Sequence, residues 1–195
     1  MRKGKFPIIL ILGIALIAIS LLMVAILQLR NHIGAKNIQT TLTQMEQLLP
    51  EGSGGVPGAY PNANMPVLQI EGADYVALLE IPSMQISLPV ADKWDGNKLF
   101  NAPARFTGSA YDHTLVIGGT DASYQFGFCD EIDNGTRITV TDMTGAQFTY
   151  EVASVDRSKK AESAWLADPQ YQLTLYCRGT YSMEYIAVRC NFVYN

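Results

Sequence analysis

Three cysteines, Cys129, Cys177 and Cys190, have the widest chemical reach of any side chains in this 195-residue chain. Their odd number leaves at least one thiol free or paired between chains. A free thiol is either a nucleophile or a small buried hydrophobe, and residue type alone leaves both open. Metal binding is not expected, because the cysteines lack a C-x-x-C element and neither His32 nor His113 lies near one of them in sequence. No cofactor motif is present either. Fourteen Lys and Arg against eighteen Asp and Glu give a net charge of −4, which offers no basic field for nucleic acid. Aromatic residues make up 10% of the chain and include ten tyrosines, a composition that suits strands better than a helical bundle.

The elements that must position these residues begin with an anchor. Arg2, Lys3 and Lys5 precede an uncharged run from Phe6 to Leu29, long enough as a helix to cross a hydrocarbon core of ~30 Å. A cleaved signal would have an apolar stretch of roughly 7–15 residues and a small-residue cleavage site. This run is longer and ends at Arg30 without such a site, so the expectation is an uncleaved single-pass anchor through residues 6–29. Three basic residues before it against one behind place the N-terminus in the cytoplasm and the rest outside the cell membrane.

Between Asn31 and Leu49, the apolar residues Ile33, Ile38, Leu42, Met45 and Leu49 recur at near-helical spacing up to Pro50. Stalk, pack-back helix and interfacial helix all fit, and a stalk is the simplest. Glu51 to Pro66, rich in Gly, Pro and Asn, reads as a linker. The predicted organisation is therefore 1–30 cytoplasmic tip and anchor, 31–50 juxtamembrane amphipathic helix, 51–66 linker and 67–195 folded domain. Within that domain, strands are expected at Tyr75–Ile81 and Gln85–Val90 around a turn at Pro82-Ser83, and at Leu115–Ile117. Others are expected at Arg137–Asp142 and Gln147–Val155 around Thr144-Gly145, and at Leu173–Cys177 and Tyr185–Val193. Many short strands with few helical signals argue for a barrel or sandwich.

Four segments in order resemble the sortase family of Gram-positive cell surfaces. Leu79-Glu80-Ile81-Pro82 with Leu88-Pro89-Val90 is similar to the family's L-x-I-P and L-P-V pair. Leu115-Val116-Ile117-Gly118-Gly119 is similar to the strand leading to its Gly-His dipeptide. Gln125-Phe126-Gly127, Asn134-Gly135 and Ile138-Thr139-Val140 resemble its F-x-x-L and G-D-x-I-x-V region. Leu173-Thr174-Leu175-Tyr176-Cys177 and Val188-Arg189-Cys190 resemble its last two strands. The resemblance covers Tyr75 to Asn195 and is closest to class B and D members. It implies an all-β fold, a closed barrel of about eight strands. It also implies a cysteine transpeptidase that cleaves Leu-Pro-x-Thr-Gly sorting signals through a thioacyl intermediate and passes the acyl group to an amine on cell wall or pilin.

On the resemblance, Cys177 matches the nucleophile, a role that requires a thiolate and so a cationic neighbourhood. The other partners depart from the pattern. Thr120 stands where the family has its histidine, and threonine cannot protonate a leaving amine near neutral pH, a service worth about 10²–10⁴-fold. Asp121 beside it would stay ionised unless strongly buried. His113 lies ~23 Å away at the other end of the strand and reads as a turn residue. The family arginine falls on Tyr185, or on neighbouring Glu184 if the loop shifts. A tyrosine hydroxyl can serve as an oxyanion donor, or the ring can simply pack. Arg178, a candidate substitute, follows Cys177 immediately and would point to the opposite face of a strand. The family run Leu-Thr-Leu-x-Thr-Cys also loses its second threonine here. In an element of period two, that deletion turns the thiol to the other face unless a bulge or early turn restores it.

The resemblance thus implies a membrane-anchored extracytoplasmic sortase-like protein with impaired catalysis that binds sorting-signal peptides or another sortase. The alternative is an active cysteine transpeptidase or hydrolase that uses Cys177 with Thr120, Asp121, Tyr185 or Arg178. A third reading is a surface module that keeps only the barrel.

Overall fold

Nothing between Ile8 and Leu49 breaks a helix. The segment's one proline, Pro7, sits in the first turn, where no intrahelical N–H bond is lost. In the computed structural model, which describes residues 6–50, 53–55, 64–95, 101–179 and 183–194, the segment forms one helix, α1 (Phe6–Leu48), of 43 residues. At a rise of about 1.5 Å per residue it runs roughly 65 Å. The basic cluster Arg2, Lys3 and Lys5 lies outside the described residues, as do 51–52 and 56–63 of the expected linker. The first half of α1 exposes apolar side chains all round, and the helix is long and apolar enough to cross a membrane.

The second half of α1 is not a stalk. Ile38, Leu42 and Met45, at i, i+4 and i+7, are buried against the folded domain. Each contributes about 1.5–3 kcal/mol by leaving water. Ile33, predicted for the same stripe, is exposed instead. Gly34 permits the closest approach, since a Cβ there would stand 2.5 Å from the Tyr124 ring. One turn before the helix ends, Gln44 Nε2 donates to Glu71 Oε1 at 2.9 Å.

Among the described residues the domain contains ten strands: β1 (Ser53–Gly54), β2 (Leu68–Ile70), β3 (Ala73–Ile81), β4 (Ile86–Ala91), β5 (Ala104–Thr107), β6 (Leu115–Gly118), β7 (Arg137–Asp142), β8 (Ala146–Ser158), β9 (Leu173–Arg178) and β10 (Tyr185–Phe192). Eight of them close a barrel in the order β3-β4-β5-β6-β9-β10-β8-β7 and back to β3. The β4–β5 and β6–β9 pairs are parallel and the other barrel pairs antiparallel. Closure leaves no barrel strand with an open edge. Inside, the alternating residues Leu79, Ile81, Leu115, Ile117, Leu173 and Leu175 meet Phe126, Phe148 and Tyr150 in one fully buried core. The β7–β8 hairpin turns at Gly145, whose φ of 86° favours glycine.

Observed strands agree with the expected ones to within a few residues, but short elements were not foreseen. These are β2, β5 and a single helical turn, α2 (Ser163–Leu166). Part of the expected linker also joins the fold. β1 pairs in parallel with β8, Gly55 N–H donates to the Gln147 carbonyl at 2.7 Å, and Met65 is buried.

Candidate functional site on the outer face of the barrel

Strand β9 carries the chemistry, and its two faces have different neighbours. Leu173, Leu175 and Cys177 belong to the barrel interior, whereas Tyr176 belongs to a separate cluster outside it with Val116, Leu166 and Ala187. The strand is held on both sides without a break in register. On one side β6 pairs from Leu115↔Leu173 to Gly118↔Tyr176, and on the other β10 pairs from Cys190↔Leu173 to Tyr185↔Arg178. With no bulge in either ladder, the period of two turns Cys177 inward and sends Arg178 outward with Tyr176.

The interior thiol is sealed. Cys177 is 1% exposed, and its Sγ donates to the Phe126 carbonyl at 3.8 Å. The same carbonyl accepts the Cys129 backbone N–H at 3.0 Å, so the two cysteines meet at one point. Burial, then a side-chain hydrogen bond with Cys177, pushes the Cys129 thiol well above the usual range. Burial does the same to Cys190, against a smaller opposing pull from Arg189. All three thiols are free and buried. Cys177 and the Arg178–Tyr185 pair therefore lie on opposite faces of β9.

On the outer face, Gly118 has no side chain, and the space is filled by Trp94, whose ring a Cβ there would meet at 2.1 Å. Trp94 stacks on Tyr176 with centroids 5.4 Å apart, and Phe106 sets its edge against both rings. A second wall comes from α2, fixed by the buried Arg189. Its guanidinium donates to the carbonyls of Trp165 at 2.5 Å and Leu166 at 3.0 Å, pairs with Asp156 at 3.1 Å and lies over the Trp165 ring. A cavity of about 440 Å³ opens beside Trp94, with Tyr75, Lys93, Asn101 and Ala102 in its lining.

The aromatic shelf gives way to polar groups at the strand ends. Arg178 is exposed. Its guanidinium lies 5.7 Å from the centre of the Tyr185 ring, across the β9–β10 ladder, and Nη2 stands 4.0 Å from Met183 Sδ. Thr120 follows the end of β6. Its N–H donates to Gln125 Oε1 at 3.1 Å and its carbonyl accepts from Phe126 N at 3.0 Å. The Thr120 hydroxyl is buried with no partner among the described residues. Asp121, beside it, is half-exposed and has an interaction of its own. Glu184 offers its carbonyl to Gly179 N–H at 2.8 Å. His113 sits at the far end of β6, in a turn with φ 62°, its ring edge-on to Phe192.

Thr120 is tied by its backbone to Gln125 and Phe126 with its hydroxyl buried, and the structure brings Arg178 and Tyr185 together at one end of the outer face. It separates them from Cys177 by the thickness of the sheet and from His113 by the length of β6. One cation and one tyrosine hydroxyl can bind a carbonyl or an anion, but that hydroxyl is not a general acid near neutral pH. No group of three or more metal-ligating side chains occurs among the described residues. Sequence reasoning missed Trp94, Phe106, Trp165 and Arg189. The one signal for them was Gly118, a strand glycine that marks a close approach.

A family model of the sortase domain matches residues 79–189, more than half of the chain. The chain belongs to the sortase family. Its barrel is similar to sortase A from Corynebacterium diphtheriae, at 18% identity and a TM-score of 0.53, covering 85% of this chain and 85% of that one. It is also similar to sortase C1 from Streptococcus agalactiae, at 18% and 0.55, covering 65% and 72%. A Clostridium perfringens sortase D5 transpeptidase matches at 18% and 0.54, covering 62% and 80%. At these identities the likeness to this sortase domain is one of fold. No match was found among curated proteins.

Proposed function

We propose that this sortase-family protein binds sorting-signal peptides on the outer face of its barrel without carrying out transpeptidation. We further propose that α1 holds it on the outer side of the cell membrane with its N-terminus in the cytoplasm. The observation that carries the first reading is the uninterrupted register of β9. Laid along that strand without a gap, the family run Leu-Thr-Leu-x-Thr-Cys puts its threonine on Cys177 and its cysteine on Arg178. A guanidinium then occupies the face where acyl transfer needs a thiolate, and the thiol is inside the core. Peptide binding is supported by a solved Clostridium perfringens sortase C bearing a C-terminal cell wall sorting motif, and by the aromatic shelf beside Arg178.

The test uses the full chain in detergent, because α1 packs on the barrel. A fluorescent Leu-Pro-Ala-Thr-Gly peptide should be bound but not cleaved above the rate without protein. Turnover that disappears in Cys177→Ala would overturn this reading and establish the protein as an active cysteine transpeptidase or hydrolase.

A further inference from the structure

Two polar groups, the Arg178 guanidinium and the Tyr185 hydroxyl, stand together at the end of the β9–β10 ladder. Arg178 has no acidic partner among the described residues. Its recorded contacts are an aromatic face and a thioether, neither of which satisfies its fork of five N–H donors. The Tyr185 hydroxyl, beside it, makes no hydrogen bond among the described residues. The neighbouring acids Asp121 and Glu184 each have an interaction of their own, and the ion pairs formed among the described residues by Arg105, Arg157 and Arg189 do not include Arg178.

An exposed cation with a tyrosine hydroxyl beside it, at the end of an apolar shelf, complements a group that is anionic, planar and terminal. A guanidinium accepts a carboxylate through two parallel hydrogen bonds, a pairing roughly twice as strong as one between neutral groups. A peptide amide at the same place would leave most of those donors unused. We infer that this end of the outer face binds the free C-terminal carboxylate of a peptide, so that the ligand is a cleaved or processed sorting signal rather than an intact one. Tyr176 and Arg178 are two positions apart on one strand face, about 7 Å. The carboxylate at Arg178 therefore sets the preceding two or three residues of an extended peptide over Tyr176 and Trp94, with the cavity beside Trp94 open to an apolar side chain. The side chains the fold uses here point to recognition of a product, the state reached after another enzyme has cut the chain.

This inference rests on the proposed peptide-binding role and is separable from it. The full chain in detergent is titrated by fluorescence anisotropy with labelled Leu-Pro-Ala-Thr ending in a free carboxylate, the same peptide amidated, and the peptide extended by glycine amide. The free acid should bind at least about tenfold more tightly than either neutral form. Arg178→Ala should remove that difference, so that acid and amide bind alike, and Arg178→Lys should restore part of it. Arg178 is exposed, so both variants should fold, and a thermal melt confirms this. Equal binding of acid and amide overturns the carboxylate site and leaves the peptide-binding role standing. Displacement of the acid by inorganic phosphate at equal concentration also overturns it, because the site would then be a general anion site. Binding of none of the three peptides overturns both readings together.

Discussion

The two faces of β9 are built from adjacent residues and belong to different chemistries. On the inner face Cys177 is a packing residue, held by the Phe126 carbonyl and pressed against Cys129. On the outer face, Arg178 one position later is solvated and stacked on Tyr185. A shift of one residue in a strand exchanges these faces, so presence of a cysteine in the right strand says nothing about which medium its sulfur meets. For an enzyme that needs a thiolate, that medium decides more than the identity of the side chain.

The comparison breaks most sharply when the two residues exchange roles. Cys177→Thr combined with Arg178→Cys rewrites the strand to the family pattern without inserting a residue, and the introduced threonine can keep a bond to the Phe126 carbonyl. In the wild-type protein all three thiols should resist iodoacetamide at neutral pH, reacting only through opening of the barrel. The double variant should show one thiol alkylated at least about 100-fold faster. Thr120→His with Tyr185→Arg in the wild-type strand should leave alkylation slow. The same pair added to the rewritten strand should lower the exposed thiol's pKa below about 8.5. Fast alkylation after the side-chain changes alone would show that register is not the obstacle.

A smaller effect separates the faces by stability. Removing the sulfur with Cys177→Ala leaves a void among Leu175, Ile186 and Cys129, at a cost of about 1–2 kcal/mol, seen as a fall in Tm of roughly 3–6 °C. Arg178→Ala, on a solvated face, should stay within about 0.5 kcal/mol of wild type. Equal losses at the two sites would mean that Arg178 is a structural residue, and its availability to a ligand would have to be abandoned.

Much of this was legible from sequence, and the reason is period. Long alternating runs such as Arg137–Asp142 and Ala146–Ser158 declare themselves, and four motifs in order were enough to propose a barrel. The deleted threonine before Cys177 was legible too, as an argument about parity, though the residue taking the cysteine's place on the outer face was not. Short elements carry too few residues for a period to emerge, which hid β2, β5 and α2. Trp94 and Arg189 were hidden for another reason: they act on partners 24 or more residues away, Gly118 and Trp165, and no local pattern announces such a pair. The docking of α1 was half-visible. The stripe Ile38, Leu42, Met45 predicted an apolar face but not what covers it.

That docked helix extends the comparison to the opposite side of the barrel, where the outer face is roofed instead of open, and the roof has a measurable cost. Glu80 on β3 is half-buried, and its carboxyl is held above the usual range first by burial and then by the charge of Glu46 on α1. Because the folded-state value is raised, the folded protein keeps the proton at pH values where the unfolded chain has released it. Stability is then greatest below the unfolded carboxylate range, near pH 4, and falls as pH rises through the folded value. Glu80→Gln should therefore raise Tm at pH 7 by about 1–2 °C, a small gain because the group is largely solvated. The gain should vanish near pH 4, where wild-type Glu80 is itself protonated. Glu46→Gln should give less, and its share alone should shrink at about 1 M salt, where charges separated by more than roughly 3 Å are screened. A larger gain from Glu46→Gln than from Glu80→Gln would show that repulsion across the helix–barrel contact, and not burial under the helix, governs this side of the molecule.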